Sequence, residues 1–137
     1  MTDTLFTNAK LIDPEGGHVT TGALAVTGGK ISAIITDDTP HPQARETVDC
    51  DRKHLAPGIV DIGVKVCEPG ERHKESFGSA GLAAAAGGVT TMVTRPDTDP
   101  VIDNPETLEF VIRRAREAAP VNVLPMAALT KGRQGRE

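Results

Sequence analysis

Asp61, Gly63, Lys65 and Cys67 follow one another at every second position in a single short stretch. Side chains alternate between the two sides of a strand, so these four are expected on one face. The interleaved residues, Ile62, Val64 and Val66, are all apolar and are expected to pack outward against helices. Lys65 could act as a base or as a fixed positive charge, and Cys67 could ligate a metal given partners. The plain alternative is a lysine that snorkels to water while its neighbours only fill space. His18, His41, His54 and His73 show no ligand spacing. Cys50 and Cys67 lie 17 residues apart with no CxxC motif. That pattern points to a reduced, cytoplasmic protein, with a disulfide as the alternative.

The elements that would carry these residues belong to a chain of 137 residues, enough for one domain by size. Hydrophobic residues make up 38% and charged residues 25%, a balance that excludes wholesale disorder. The formal net charge of −4 indicates no field for nucleic acid. With three Phe and neither Trp nor Tyr, a stacking platform for single strands is also excluded. No apolar run reaches the length of a membrane span, and the N-terminus lacks the basic flank and apolar core of a signal peptide.

Residues 1–56 read as small strands joined by tight turns, part of a β-sandwich module. Strands are expected at 5–12, 22–27 and 30–35, with Gly28-Gly29 as a hairpin turn. Residues 36–46 read as loop, and Thr47–Cys50 and Leu55-Ala56 as short extended pieces. The pattern changes at Pro57-Gly58. Strands are expected at 59–66, 89–94 and 121–126, and an Ala-rich helix at 75–86 closed by Gly87-Gly88. Asn104-Pro105 marks a helix start, with Asn as N-cap and Pro at the first helical position. Leu108, Val111, Ile112, Ala115 and Ala119 fall on one face of that helix, and Pro120 ends it. Glu109–Arg113 and Arg113–Glu117 are expected as outer i,i+4 pairs. The order β-α-β-α-β over residues 57–137 predicts a parallel sheet, the beginning of a (β/α)8 barrel whose sites gather at the C-terminal ends of the strands. The last seven residues, Lys131–Glu137, read as a loop, so the chain has the look of a truncated one.

Several blocks together resemble the N-terminal part of a dihydroorotase. They are Leu55-Ala-Pro-Gly-Ile-Val-Asp61, Glu68-Pro69-Gly70, His73-Lys74-Glu75, Ala83 to Thr91, Pro96 to Pro105 and Ala128-Leu-Thr-Lys-Gly132. Allantoinases and hydantoinases share the first block, and the run Pro96 to Pro105 favours dihydroorotase. The resemblance implies an α/β amidohydrolase: part of a small β-sandwich over 1–56, then the first three βα units of a metal-dependent barrel over 57–137. It also implies zinc, which activates water and polarises an amide carbonyl, and the reversible cyclisation of carbamoyl-aspartate to dihydroorotate.

The departures from the family pattern shape the expected function. The family's first barrel strand ends in His-x-His, with Arg two residues later; this chain has Gly63, Lys65 and Cys67 there. Glycine brings no ligand and a lysine ammonium has donors only. Cys67 cannot reproduce the bidentate grip of Arg on a substrate carboxylate. The family's Asn in the loop after the second strand is Asp97 here, an anion facing an anionic substrate. No metal and no substrate binding are therefore expected, with Lys65 beside Asp61 standing in for the cation's charge. His73 is expected to be structural. The chain resembles non-catalytic dihydroorotase-like subunits, whose partner is aspartate transcarbamoylase. The exposed face with Glu109, Arg113, Arg116 and Glu117 is a candidate contact surface, or a merely solvated one. Homo-oligomerisation stays open, as do two other readings: an active enzyme with an altered site, and a fragment without function. Taken alone, three barrel strands would leave an inner face (Asp61, Lys65, and Val93 or Met92) and a strand edge uncovered.

Overall fold

The computed structural model describes residues 1–36 and 38–136. Asp37, read as loop, and the terminal Glu137 lie outside the described residues. The chain divides into two compact units, Met1–Pro57 and Gly58–Glu137.

The first unit is one five-stranded sheet. Its strands are β1 (Thr2–Asp13), β2 (His18–Thr27), β3 (Lys30–Ile35), β4 (Ala44–Asp49) and β5 (His54–Leu55). They run in the order β3-β2-β1-β4, with β5 also on β1. The β1–β2 turn is held by Asp13, whose Oδ1 accepts the Glu15 and Gly16 backbone N–H groups at 3.0 Å each. The β2–β3 hairpin turns at Gly28-Gly29, as expected. β1 pairs antiparallel with β2 but parallel with β4 and β5. Leu5, Ala23 and Ala25 are buried on one face, with Ile35 and Ala44 against them. Residues 1–56 are expected to supply part of a β-sandwich; the five described strands form one sheet.

The second unit holds a parallel three-stranded sheet in the order β6-β7-β8. Its elements are β6 (Ile59–Val64), α1 (Phe77–Ala86), β7 (Val89–Thr94), α2 (Pro105–Ala118) and β8 (Asn122–Pro125). β8 is followed by a short 3-10 turn at Lys131–Arg133, and two of the three expected βα units are complete among the described residues. Ser76 caps α1 by accepting the Ser79 N–H, and Asn104 Oδ1 caps α2 by accepting the Thr107 N–H at 2.9 Å. Val66, Phe77, Ala80, Met92, Ile102, Val111 and Ala115 form the core between the helices and one face of the sheet. Leu108 and Ala119 pack against this core as the helical spacing predicts. On α2 the ion pairs run through Arg114, to Glu68 and Glu117, and not through Arg113.

β6 departs from simple alternation. Gly63 sits at φ 101° and opens a bulge: Ile62 registers with Val93, whereas Val64 registers with Thr94. An L side chain is strained in that conformation, which glycine tolerates. The bulge places Ile62 and Val64 on opposite faces. Val64 and Val66 pack towards the helices, but Ile62 is 73% exposed on the open face with Val93. Asp61 registers with Met92, whose side chain faces the helices, so Asp61 stands, exposed, on that side of the sheet and opposite Ile62. Val93, not Met92, is the β7 residue on the open face.

Candidate functional site at the C-terminal ends of the strands

The loops after β6 and β7 meet at the C-terminal end of the sheet, where parallel α/β folds place their ligands. The Arg95 N–H donates to the Val64 carbonyl at 2.9 Å, which fixes the start of the second loop beside the first. Gly70 then touches the Asp99 backbone. It has φ 105°, and a Cβ there would lie 2.5 Å from the Asp99 carbonyl oxygen. The Asp99 N–H in turn donates to the Pro69 carbonyl at 3.3 Å.

At this junction Asp97 sits between two cations. Lys65 Nζ lies 3.3 Å from Asp97 Oδ2, and Arg95 Nη2 lies 2.9 Å from the same oxygen. The Asp97 side chain is 8% exposed, while those of Lys65 and Arg95 are 51% and 50% exposed. Burial alone would raise the Asp97 pKa; the Lys65 hydrogen bond and the charges of Arg95 and Lys65 outweigh it and hold the carboxyl below its ordinary value. Lys65 is therefore the partner of Asp97, and the expected placement of its charge beside Asp61 is corrected. Cys67 is a free, half-buried thiol whose carbonyl accepts the Glu71 N–H at 2.7 Å. His73 is exposed in the turn that follows.

A second carboxylate organises the same loop from within. Glu68 is 5% exposed on its side chain and accepts from Arg114 Nε at 2.7 Å and from the Phe77 N–H at 3.0 Å. Arg72 Nε lies 3.6 Å from the same Oε1 atom as Arg114. Phe77 is the first residue of α1, so Glu68 places a negative charge at that helix's positive end. Burial pushes the Glu68 pKa up, but the bonds from Arg114 and Phe77 and the charges of Arg114 and Arg72 bring it below the ordinary value.

Sequence reasoning picks out Gly63, Lys65, Cys67 and Asp97, and the structure joins Lys65 to Asp97. It misses Arg95 and Arg114. Arg95 carries no periodic signal. Arg114 does carry one: it stands three residues after Val111 and four before Ala118, on the flank of the apolar stripe, where a charge requires a partner.

The family model described as Dihydro-orotase-like matches residues 52–137. The chain belongs to this dihydro-orotase-like family. A dihydroorotase of Anoxybacillus flavithermus is 39% identical over 98% of this chain and 31% of its own length. A dihydroorotase-like protein of Pseudomonas putida is 41% identical over 94% of this chain and 30% of its own. The L-hydantoinase of Arthrobacter aurescens superimposes with a TM-score of 0.83 at 25% identity, over 93% of this chain and 28% of that one. The chain thus spans about a third of the length of the relatives it matches.

Membership in the dihydro-orotase-like family, by the resemblance above, implies zinc, and the residues at the corresponding positions do not fit it. Gly63 supplies no donor atom and Lys65 supplies only N–H donors. Asp97 Oδ2 is already shared by two cations. Cys67 is left as a lone sulfur. Among the described residues, no three His, Cys, Asp or Glu side chains come together where they could hold a metal ion. No described helix is long and apolar enough to cross a membrane.

Proposed function

We propose that this dihydroorotase-family chain serves de novo pyrimidine biosynthesis without catalysing the cyclisation itself, as a supporting partner of aspartate transcarbamoylase. The observation that carries the reading is the Lys65–Asp97 ion pair, made by residues that replace a metal ligand and a substrate-binding amide of the family pattern. A cation at a ligand position repels a divalent metal, and its counter-charge occupies the place of the substrate's carboxylate grip. Around this altered site the fold determinants are kept: both helix caps, the Glu68 clamp and the core beneath the sheet. Retained fold with altered chemistry favours a role in assembly. One relative is itself named a dihydroorotase-like protein. A candidate contact surface runs along α2, where Glu109, Arg113, Arg116 and Glu117 line one shallow groove.

The test is co-expression of the full-length protein with aspartate transcarbamoylase, followed by size exclusion and metal analysis. Co-elution, a more stable transcarbamoylase and no stoichiometric zinc are expected. Separate elution at micromolar concentration, with transcarbamoylase equally active alone, overturns the assembly role. About two metals per chain, as a binuclear site would hold, with turnover of dihydroorotate, overturns the non-catalytic role.

A further inference from the structure

We propose that Asp103 latches the segment after β8, residues 127–135, to the loop before α2, and that this segment is a strap that opens as a unit when the latch is released. Three bonds fasten the chain after β8, each further along it. The Met126 N–H donates to the Thr94 carbonyl at 2.9 Å, the Ala128 N–H to the Ile102 carbonyl at 2.7 Å, and the Gly132 N–H to Asp103 Oδ2 at 2.8 Å. The first two are backbone bonds at the root of the strap. The third is, among the described residues, the one side-chain bond that reaches the strap from outside it. Beyond Gly132 the strap bonds to itself: the Arg133 N–H donates to the Thr130 carbonyl and the Gly135 N–H to Thr130 Oγ1. No described residue from 127 to 136 is buried, and Leu129 is 98% exposed. A segment without an apolar anchor opens locally at low cost, so one hydrogen bond to a charged acceptor decides how often it does. Asp103 itself is well held. It follows Ile102, which is 1% exposed in the core, and its Oδ1 accepts from Asn104 Nδ2 at 3.0 Å, while Asn104 caps α2. The Gly132 and Asn104 bonds keep the Asp103 carboxyl below its ordinary value, and Lys131, the charged group facing it, acts in the same direction. The latch thus joins two of the sequence blocks, Pro96 to Pro105 and Ala128 to Gly132, across 29 residues. It is independent of any assembly role or metal content.

The experiment follows hydrogen exchange of the full-length protein by mass spectrometry, with limited trypsin digestion at Lys131 and Arg133 as a second readout. Asp103→Ala is expected to speed exchange across residues 127–135 about tenfold, and trypsin cleavage with it, while β7 and α2 keep their protection. Asp103→Asn keeps an acceptor oxygen for Gly132 but not the charge, so it should fall between the wild type and Asp103→Ala. Asn104→Ser keeps a capping side chain on α2 and leaves Asp103 to bond Gly132, so the strap should stay protected. Strap exchange changed less than about twofold by Asp103→Ala overturns the proposal, since loss of a bond to a charged acceptor should exceed that. So does strap opening in Asn104→Ser equal to that in Asp103→Ala, which would assign the effect to the helix cap. Exchange that rises equally in β7, α2 and the strap, or loss of a cooperative urea transition in Asp103→Ala, also overturns it, because the latch acts locally.

Discussion

Glu68 and Asp97 are both nearly buried carboxylates that face two cations, yet they hold them differently. Glu68 divides its oxygens between a backbone N–H of α1 and Arg114, itself only 26% exposed. Asp97 offers one oxygen to two side chains that remain half in water. The first arrangement ties a loop to two helices. The second presents charge at the end of the sheet. Net stabilisation by an ion pair depends on what removing one partner leaves stranded, and only Glu68 would strand a partly buried arginine and a helix N-terminus.

The comparison breaks if Glu68 is dispensable. Glu68→Ala is expected to lower unfolding stability of the full-length protein by about 3 kcal/mol, the lower end for a broken buried pair, because Arg114 keeps some contact with water. Denaturant titration measures it; a loss no greater than that of Asp97→Ala would erase the distinction. The same carboxylate gives a pH dependence. Its folded pKa is depressed by Arg114 and Phe77 against the opposing effect of burial. Its contribution is therefore fully present above the unfolded glutamate value of about 4.3 and is lost as pH falls through the lower folded value. Asp97 is depressed in the same direction and adds to the slope. Glu68→Gln should flatten the acid limb of a stability–pH curve more than Asp97→Asn does.

The next largest effect joins the two regions. Gly70 lies two residues after Glu68, at φ 105°, against the Asp99 carbonyl two residues beyond Asp97. Gly70→Ala adds both backbone strain and a contact that backbone must relieve. A loss of about 1–3 kcal/mol is expected. It should come with a change at the Lys65–Asp97–Arg95 trio, visible as shifted amide resonances on both loops. A neutral substitution would show that the loops adjust independently.

These two regions also show what a sequence can carry. The elements with local signals were legible: the cap at Asn104-Pro105, the Gly28-Gly29 turn and the alternation of strands and helices over residues 57–137. The face of Asp61 was not, because strict period-2 reading assumes an unbroken strand and the bulge at Gly63 reverses it. A glycine inside a strand is the available warning. The Glu68–Arg114 pair spans 46 residues and Lys65–Asp97 spans 32, so no local pattern reports either. Family resemblance located Lys65 and Asp97 but said nothing of their pairing, since the family pattern has neither residue there.

The smallest expected effect is the one that sharpens the contrast most. Lys65 and Asp97 make a 3.3 Å contact, but the lysine is half solvated and Arg95 remains on the same oxygen when it is gone. Lys65→Met should therefore change unfolding stability by no more than about 1 kcal/mol. A double-mutant cycle of Lys65→Met with Asp97→Asn should return a coupling of similar or smaller size, falling further as salt is raised. The parallel cycle of Arg114→Met with Glu68→Gln should give a coupling several times larger and less sensitive to salt, because that pair is shielded from water. Equal couplings would mean that both carboxylates are structural clamps. A small, salt-screened coupling at Asp97 beside a large one at Glu68 would mean that the loop is held from beneath, while the charges at its rim stay solvated and add little to the fold.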